Sequence, residues 1–220
     1  MHHSSLDELI KDAPEALAKG PVAVIMVEDN VEIDTSLRHH QQAGFKTIIA
    51  LMPPEFDLPR DLSETIHRVD YDMSVEMAME TAINALIDPA AGQWMYYCYN
   101  AEYLFYPFCE TRTVGEMLSF HAEERRDAML TYVVDLYAGD LDQNPSAVAL
   151  NDAFLDKSGY YALARKAKDD TYEDRQLDFF GGLRWRFEEH IPMPRRRIDR
   201  VSLFRATPGL ALREDHTFND

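Results

Sequence analysis

The chain has 220 residues, 46% of them hydrophobic and 11% aromatic, which supplies one full core and excludes disorder as the main state. Its formal net charge is −17, and because residues 181–220 hold eight Arg against six acidic residues, the first 180 carry −19. A surface this acidic excludes general binding to DNA or RNA.

In chain order, Ser5-Leu6-Asp7-Glu8 is a capping box. Leu6, Leu9, Ile10, Ala13 and Leu17 follow at helical spacing, and Pro14 either kinks that helix or splits it in two. After Gly20-Pro21 the run 22–27 is short, apolar and rich in β-branched residues, so it reads as a buried parallel strand. Asn30 is placed to cap a helix from Val31 to Ala43, which Gly44 stops. Thr47 to Leu51 is a second strand, 53–64 a Pro-containing loop, and Ile66 to Val69 a third strand. Ser74 is read as the cap of a helix reaching Ile87, and Trp94 to Tyr99 as a fourth strand. Thr113-Val114-Gly115-Glu116 is a second capping box, opening a helix near Met117–His121, and Met129 to Leu136 is a fifth strand.

That alternation predicts an α/β fold with a mostly parallel sheet flanked by helices. Beyond residue 140 the pattern weakens. Residues 151–175 read as partly helical and very polar, and Leu183–Phe187, Val201–Arg205 and Leu210–Arg213 as short strands. The ending after His216 reads as cut short, with an exposed apolar patch expected near Val201–Leu212. Cys98 and Cys109 fit a reducing compartment. No window approaches the roughly 20 apolar residues of a membrane span. The start Met1-His2-His3-Ser4-Ser5 has no apolar core of the signal-peptide kind, so the expected location is cytoplasmic.

Ligands of open α/β sheets sit beyond the carboxyl ends of the strands. This rule selects Glu28-Asp29-Asn30, Asp70-Tyr71-Asp72 and Tyr99-Asn100-Ala101-Glu102 as a rim for ribose hydroxyls or a hydrated cation. There is no GxGxxG after the first strand, no GxxxxGK[ST], no GxSxG and no HExxH. Those absences argue against classical dinucleotide folds, P-loop NTPases, α/β-hydrolases and zincins.

Three segments together resemble a known family. They are the first strand with its acidic end followed by Leu37-Arg38-His39-His40 and Gly44-Phe45, the stretch from Trp94 to Tyr106-Pro107, and Gly181-Gly182-Leu183-Arg184-Trp185-Arg186 with Val201–Arg205 leading to His216. The order of these motifs over about residues 21–216 is similar to family 2-type glycosyltransferases of the GT-A fold, in a subgroup with a degenerate DxD motif. Aligned on Trp94 and Tyr106-Pro107, the two metal-site aspartates fall on Tyr99 and Ala101, and Glu102 alone is kept.

The resemblance implies a single GT-A-like, Rossmann-like domain over 1–220 with a small C-terminal extension. It implies transfer of a sugar from a nucleotide-sugar donor to a saccharide or lipid-linked acceptor. Glu28, Asp29, Asp70, Asp72, Arg184 and Arg186 are the candidate donor-binding residues. The Arg195-Arg196-Arg197 run is a further candidate for the diphosphate, since guanidinium pairs with phosphate. Asn100, Glu102 and His216 are the candidate ligands of a weak or donor-dependent Mn²⁺ or Mg²⁺, and Asp135 is the candidate general base. A reading from another class stands beside this one: a non-catalytic module that keeps the nucleotide cleft.

Overall fold

A computed structural model describes residues 1–167 and 169–219. The elements open with β1 (His2–His3), α1 (Leu6–Asp12), α2 (Pro14–Leu17), β2 (Val22–Met26), α3 (Ile33–Gln42), β3 (Thr47–Met52), α4 (Arg60–Ser63) and β4 (His67–Asp70). They continue with α5 (Ala78–Ile87), β5 (Trp94–Tyr99), α6 (Val114–Glu123), β6 (Ala128–Tyr132), β7 (Leu136–Ala138), β8 (Ala153–Leu155), β9 (Tyr161–Lys166), β10 (Tyr172–Phe180), α7 (Gly182–Arg186) and β11 (Asp199–Arg205).

The chain forms two compact units: Met1–Met129 with Val201–Asp220, and Leu130–Arg200. A seven-stranded sheet has the order β1-β4-β3-β2-β5-β11-β6. From β1 to β5 the pairings are parallel, and β11 runs antiparallel to β5. The fold is therefore α/β with a mostly parallel, mixed sheet.

The first unit is layered because its central strands are apolar on both faces. Val22, Val24 and Met26 of β2 join Ile49, Leu51, Met95 and Tyr97 in one core, closed by Leu6, Leu9 and Leu17 and by Ala82, Ile83 and Leu86 of α5. The alternate residues Ala23, Ile25, Ile48, Ala50, Tyr96 and Cys98 form the opposite core with Leu37 of α3 and Val114 and Leu118 of α6. Continuous apolar strands are the mark of a sheet covered on both sides.

Pro14 splits the first helix, taking its first position in α2, where the absent N–H has no intrahelical partner to lose. Thr113 and Glu116 form the capping box of α6 with both reciprocal bonds present. Two expected caps are corrected. Glu32 and Met77 precede α3 and α5 in left-handed backbone, so neither Asn30 nor Ser74 is an N-cap.

Other expectations are also corrected. The described residues of 151–175 hold no helix but β8, β9 and the start of β10. Leu183–Phe187 is helical in α7, launched from Gly181 and Gly182 at φ 154° and 60°. Leu210–Arg213 is no strand, only a bridge from Leu212 to Phe218. The expected apolar patch is absent, since Leu203, Phe204, Ala206 and Leu212 are all buried. Asn84 secures the last of these by accepting from the Leu212 N–H at 2.7 Å and donating to its carbonyl at 3.1 Å.

Within the second unit, β9 and β10 form one antiparallel ribbon, and β7 and β8 another. An alternating set of charges fastens the β9–β10 ribbon to the start of β11. Arg165 Nε lies 2.8 Å from Asp178, and Arg197 lies 3.2 Å from Asp178 and 2.7 Å from Asp199. The Asp199 side chain is fully buried and also accepts the Phe179 N–H at 2.7 Å. Among the described residues, no helix is long and apolar enough to cross a membrane.

Candidate functional site

The strand order reverses at β2, with β3 on one side and β5 on the other. That reversal of strand order makes this the switch point of the sheet. Asn100 ties the two loops together. Its Oδ1 accepts the Glu28 N–H at 3.0 Å, and its Nδ2 donates to Asp29 Oδ1 at 2.6 Å and to the Val31 carbonyl at 2.9 Å. The Ala101 N–H donates to Ser36 Oγ at 2.8 Å, and Tyr103 meets Thr35 at 2.8 Å, so the turn after β5 is clamped to α3. Ala101 has a left-handed backbone at φ 58°.

Beside this clamp, a cleft of about 740 Å³ opens at the carboxyl ends of β2, β3 and β4. Its lining includes the acidic residues Glu28, Glu55, Asp70 and Asp72 and the apolar residues Pro53, Pro54, Phe56 and Met73. Asp70 stands at the end of β4, 3.0 Å from His2 and 3.4 Å from Arg68. Arg68 also donates to the Pro54 carbonyl at 2.8 Å, bracing the β3 side of the cleft. Asp72 accepts from Ser74 through both backbone N–H and hydroxyl, and these bonds hold its carboxyl below the usual range. Tyr71 donates to the Ala78 carbonyl at 2.8 Å, and burial pushes its phenol up.

Of the candidate donor residues, the structure brings Glu28, Asp70 and Asp72 to one cleft. Asp29 is turned to its own loop, where it accepts from Asn100 and from the Val31 N–H. Pro53 to Phe56 were missed as site residues because the segment reads as a Pro-containing loop. The strand-end rule that selects Glu28 and Asp70 applies equally to the residues just after β3.

Arg184 and Arg186 belong to the second unit, and both are engaged there. Arg184 grips Asp135 with Nε at 2.6 Å and Nη2 at 3.0 Å, and it donates to the Arg197 carbonyl at 2.7 Å. Arg186 pairs with Asp156, whose side chain is nearly inaccessible, and Asp156 is held below its usual pKa by that bond first. The same motif packs closely against residues 159 and 160. A Cβ on Gly181 would fall 2.3 Å from the Tyr160 ring, and one on Gly159 2.1 Å from the Trp185 ring. The run from Gly181 to Arg186 is thus built into the second unit's own packing. Asp135 lies between β6 and β7, not at a strand end, because β6 stops at Tyr132.

The candidate metal ligands do not form a ready cation site. Asn100 has its amide committed to the loop clamp. Glu102 Oε2 accepts the Tyr99 N–H at 3.0 Å, and His216 Nδ1 lies 3.2 Å from the hydroxyl of buried Tyr97. Among the described residues no group of three or more His, Cys, Asp or Glu is arranged to hold a metal. Tyr99, at the place of the first expected aspartate, directs its hydroxyl to Met79 at 3.4 Å.

Comparison with protein-family models, with curated proteins and with solved structures finds no match. Fold and cleft together define a class: an α/β protein with an acidic, partly apolar cleft at the carboxyl ends of its parallel strands.

Proposed function

We infer that the chain is a glycosyltransferase of the GT-A type, which takes the nucleoside part of a nucleotide-sugar donor into the cleft at β2, β3 and β4. One observation carries this reading: Glu28, Asp70 and Asp72 meet in a single cleft that also has an apolar wall. Carboxylates accept hydrogen bonds from ribose hydroxyls, and Pro54, Phe56 and Met73 offer surfaces to a base. The same carboxylates disfavour a bare diphosphate inside the cleft, so the sugar and phosphates extend away from it. The acceptor in this reading is a saccharide or a lipid-linked saccharide.

Asn100, Glu102 and His216 each make a hydrogen bond within the protein, and no step of the transfer is routed through a cation. Asp135 holds Arg184 with both oxygens, so a role as general base would have to work through that ion pair.

These engaged groups favour a second reading, a module that binds the nucleotide-sugar without transferring it. Donor hydrolysis or sugar transfer by the wild type and by Asp70→Ala separates the two. Turnover that falls with Asp70→Ala supports the enzyme. Donor binding without turnover supports the module. Absence of both removes the cleft assignment.

A further inference from the structure

We propose that the chain forms a two-fold dimer in which the free edge of β9 pairs antiparallel with β9 of a second copy, joining two ribbons into one four-stranded sheet.

The ribbon is unfinished on its own. Its two strands pair only with each other along most of their length, and a lone two-stranded ribbon is marginally stable in water. Apolar side chains stay half exposed on both of its faces: Tyr161 and Leu163 from one, Leu177 and Tyr172 from the other. Natural edge strands are usually guarded by charge, proline or a bulge. The outer edge of β10 is guarded, because its register slips between Tyr172 and Leu177, Arg175 has a left-handed backbone, and Glu173, Asp174 and Arg175 are charged. The edge of β9 over Tyr161-Ala162-Leu163-Ala164 has no charge and no proline.

A second copy is the occupant that β9 itself specifies. A two-fold axis through Leu163 sets Leu163 against its own copy, Ala162 against Ala164, and Tyr161 against Arg165, so no like charges face each other. Arg165 stacks near a tyrosine ring in that register, and its charge is already balanced by Asp178 at 2.8 Å. Net charge permits the approach. Residues 130–200 carry 13 acidic and 11 basic residues, a net of −2, which leaves −15 on the rest of the chain. Closure is at two copies, because pairing consumes both β9 edges and leaves only guarded β10 edges outside.

The test uses the full chain. Sedimentation equilibrium at micromolar concentration should give twice the chain mass for the wild type. Leu163→Glu and Leu163→Lys each place like charges on the axis and should raise the dimer dissociation constant about tenfold or more. An equimolar mixture of the two variants should restore the dimer, which a misfolded variant cannot do. Hydrogen exchange on the wild type provides a second reading, with the amides of β9 protected more strongly as concentration rises. A monomeric wild type overturns the proposal. So does a dimer that both variants leave intact, or β9 exchange that ignores concentration.

Discussion

Asp135 and Arg184 are each other's partner. The guanidinium meets the carboxylate at 2.6 Å and 3.0 Å, across 49 positions of sequence, and each side chain is about a quarter exposed. A two-pronged pair of this kind fixes the angle between the segment after β6 and α7 within the second unit. Asp135→Asn and Arg184→Gln should each lower stability by about 1–2 kcal/mol. The double variant should cost less than the sum, as seen in urea unfolding of the four-member cycle. Additive losses would show that the pair contributes nothing of its own.

Asp199 is the deeper anchor. Its carboxylate is inaccessible and balances Arg197 and Arg165 while accepting the Phe179 N–H. Asp199→Ala leaves the Phe179 N–H without its acceptor and takes one of two carboxylates from Arg165 and Arg197, which keep Asp178. The expected loss is about 3–5 kcal/mol in unfolding of the second unit. A change under about 1 kcal/mol would mean that water or another acidic group replaces the carboxylate.

His40 gives stability a pH dependence. Its Nδ1 lies 2.7 Å from the Ser36 carbonyl, so that nitrogen carries the proton, and Nε2 faces the buried Cys98 thiol at 3.8 Å. Burial is the main reason its pKa falls to about 4. In the unfolded chain it protonates near the ordinary histidine value of about 6.5. The unfolded state therefore holds the extra proton between about pH 6.5 and pH 4, and stability falls as the pH drops through that window. The full loss is about 3 kcal/mol. His3 and His67, whose values burial also depresses, add slope of the same sign. Unfolding curves from pH 7.5 to pH 4 should flatten in His40→Gln relative to the wild type.

Much of the first unit was legible in the sequence. Trp94–Tyr99 is a strand over the residues its apolar run predicts, and the Thr113–Glu116 box and the break at Pro14 are where local chemistry places them. The starts of α3 and α5 were not legible. Left-handed Glu32 and Met77 set them, and no propensity marks a Glu or Met for that conformation. The ribbon was missed because Tyr161-Ala162-Leu163-Ala164-Arg165-Lys166 is rich in helix formers and, being exposed on both faces, has no alternation. At the site, strand-end position identified Glu28, Asp70 and Asp72. It could not foresee that Asp135 and Arg184, read as base and donor ligand, would satisfy each other, because distant pairing leaves no local trace.

Asn100 offers a narrower test of the switch point. Asn100→Ala removes the acceptor for the Glu28 N–H and the donor to Asp29 and Val31. The loop bearing Glu28 should loosen, and affinity for a nucleotide-sugar should drop about tenfold, with a stability loss of only about 1 kcal/mol. Calorimetric titration beside thermal unfolding separates the two effects. An unchanged affinity would place the ligand away from the β2 loop.

The most direct test of the cleft assignment is thermal unfolding with uridine- and guanosine-diphosphate sugars, on the wild type and on Asp70→Ala. Ligand that binds only the folded state raises the melting temperature in proportion to occupancy. The account predicts a rise for the wild type with at least one of these donors, and a much smaller rise for a folded Asp70→Ala. No rise with any donor, or an equal rise in both proteins, would contradict it.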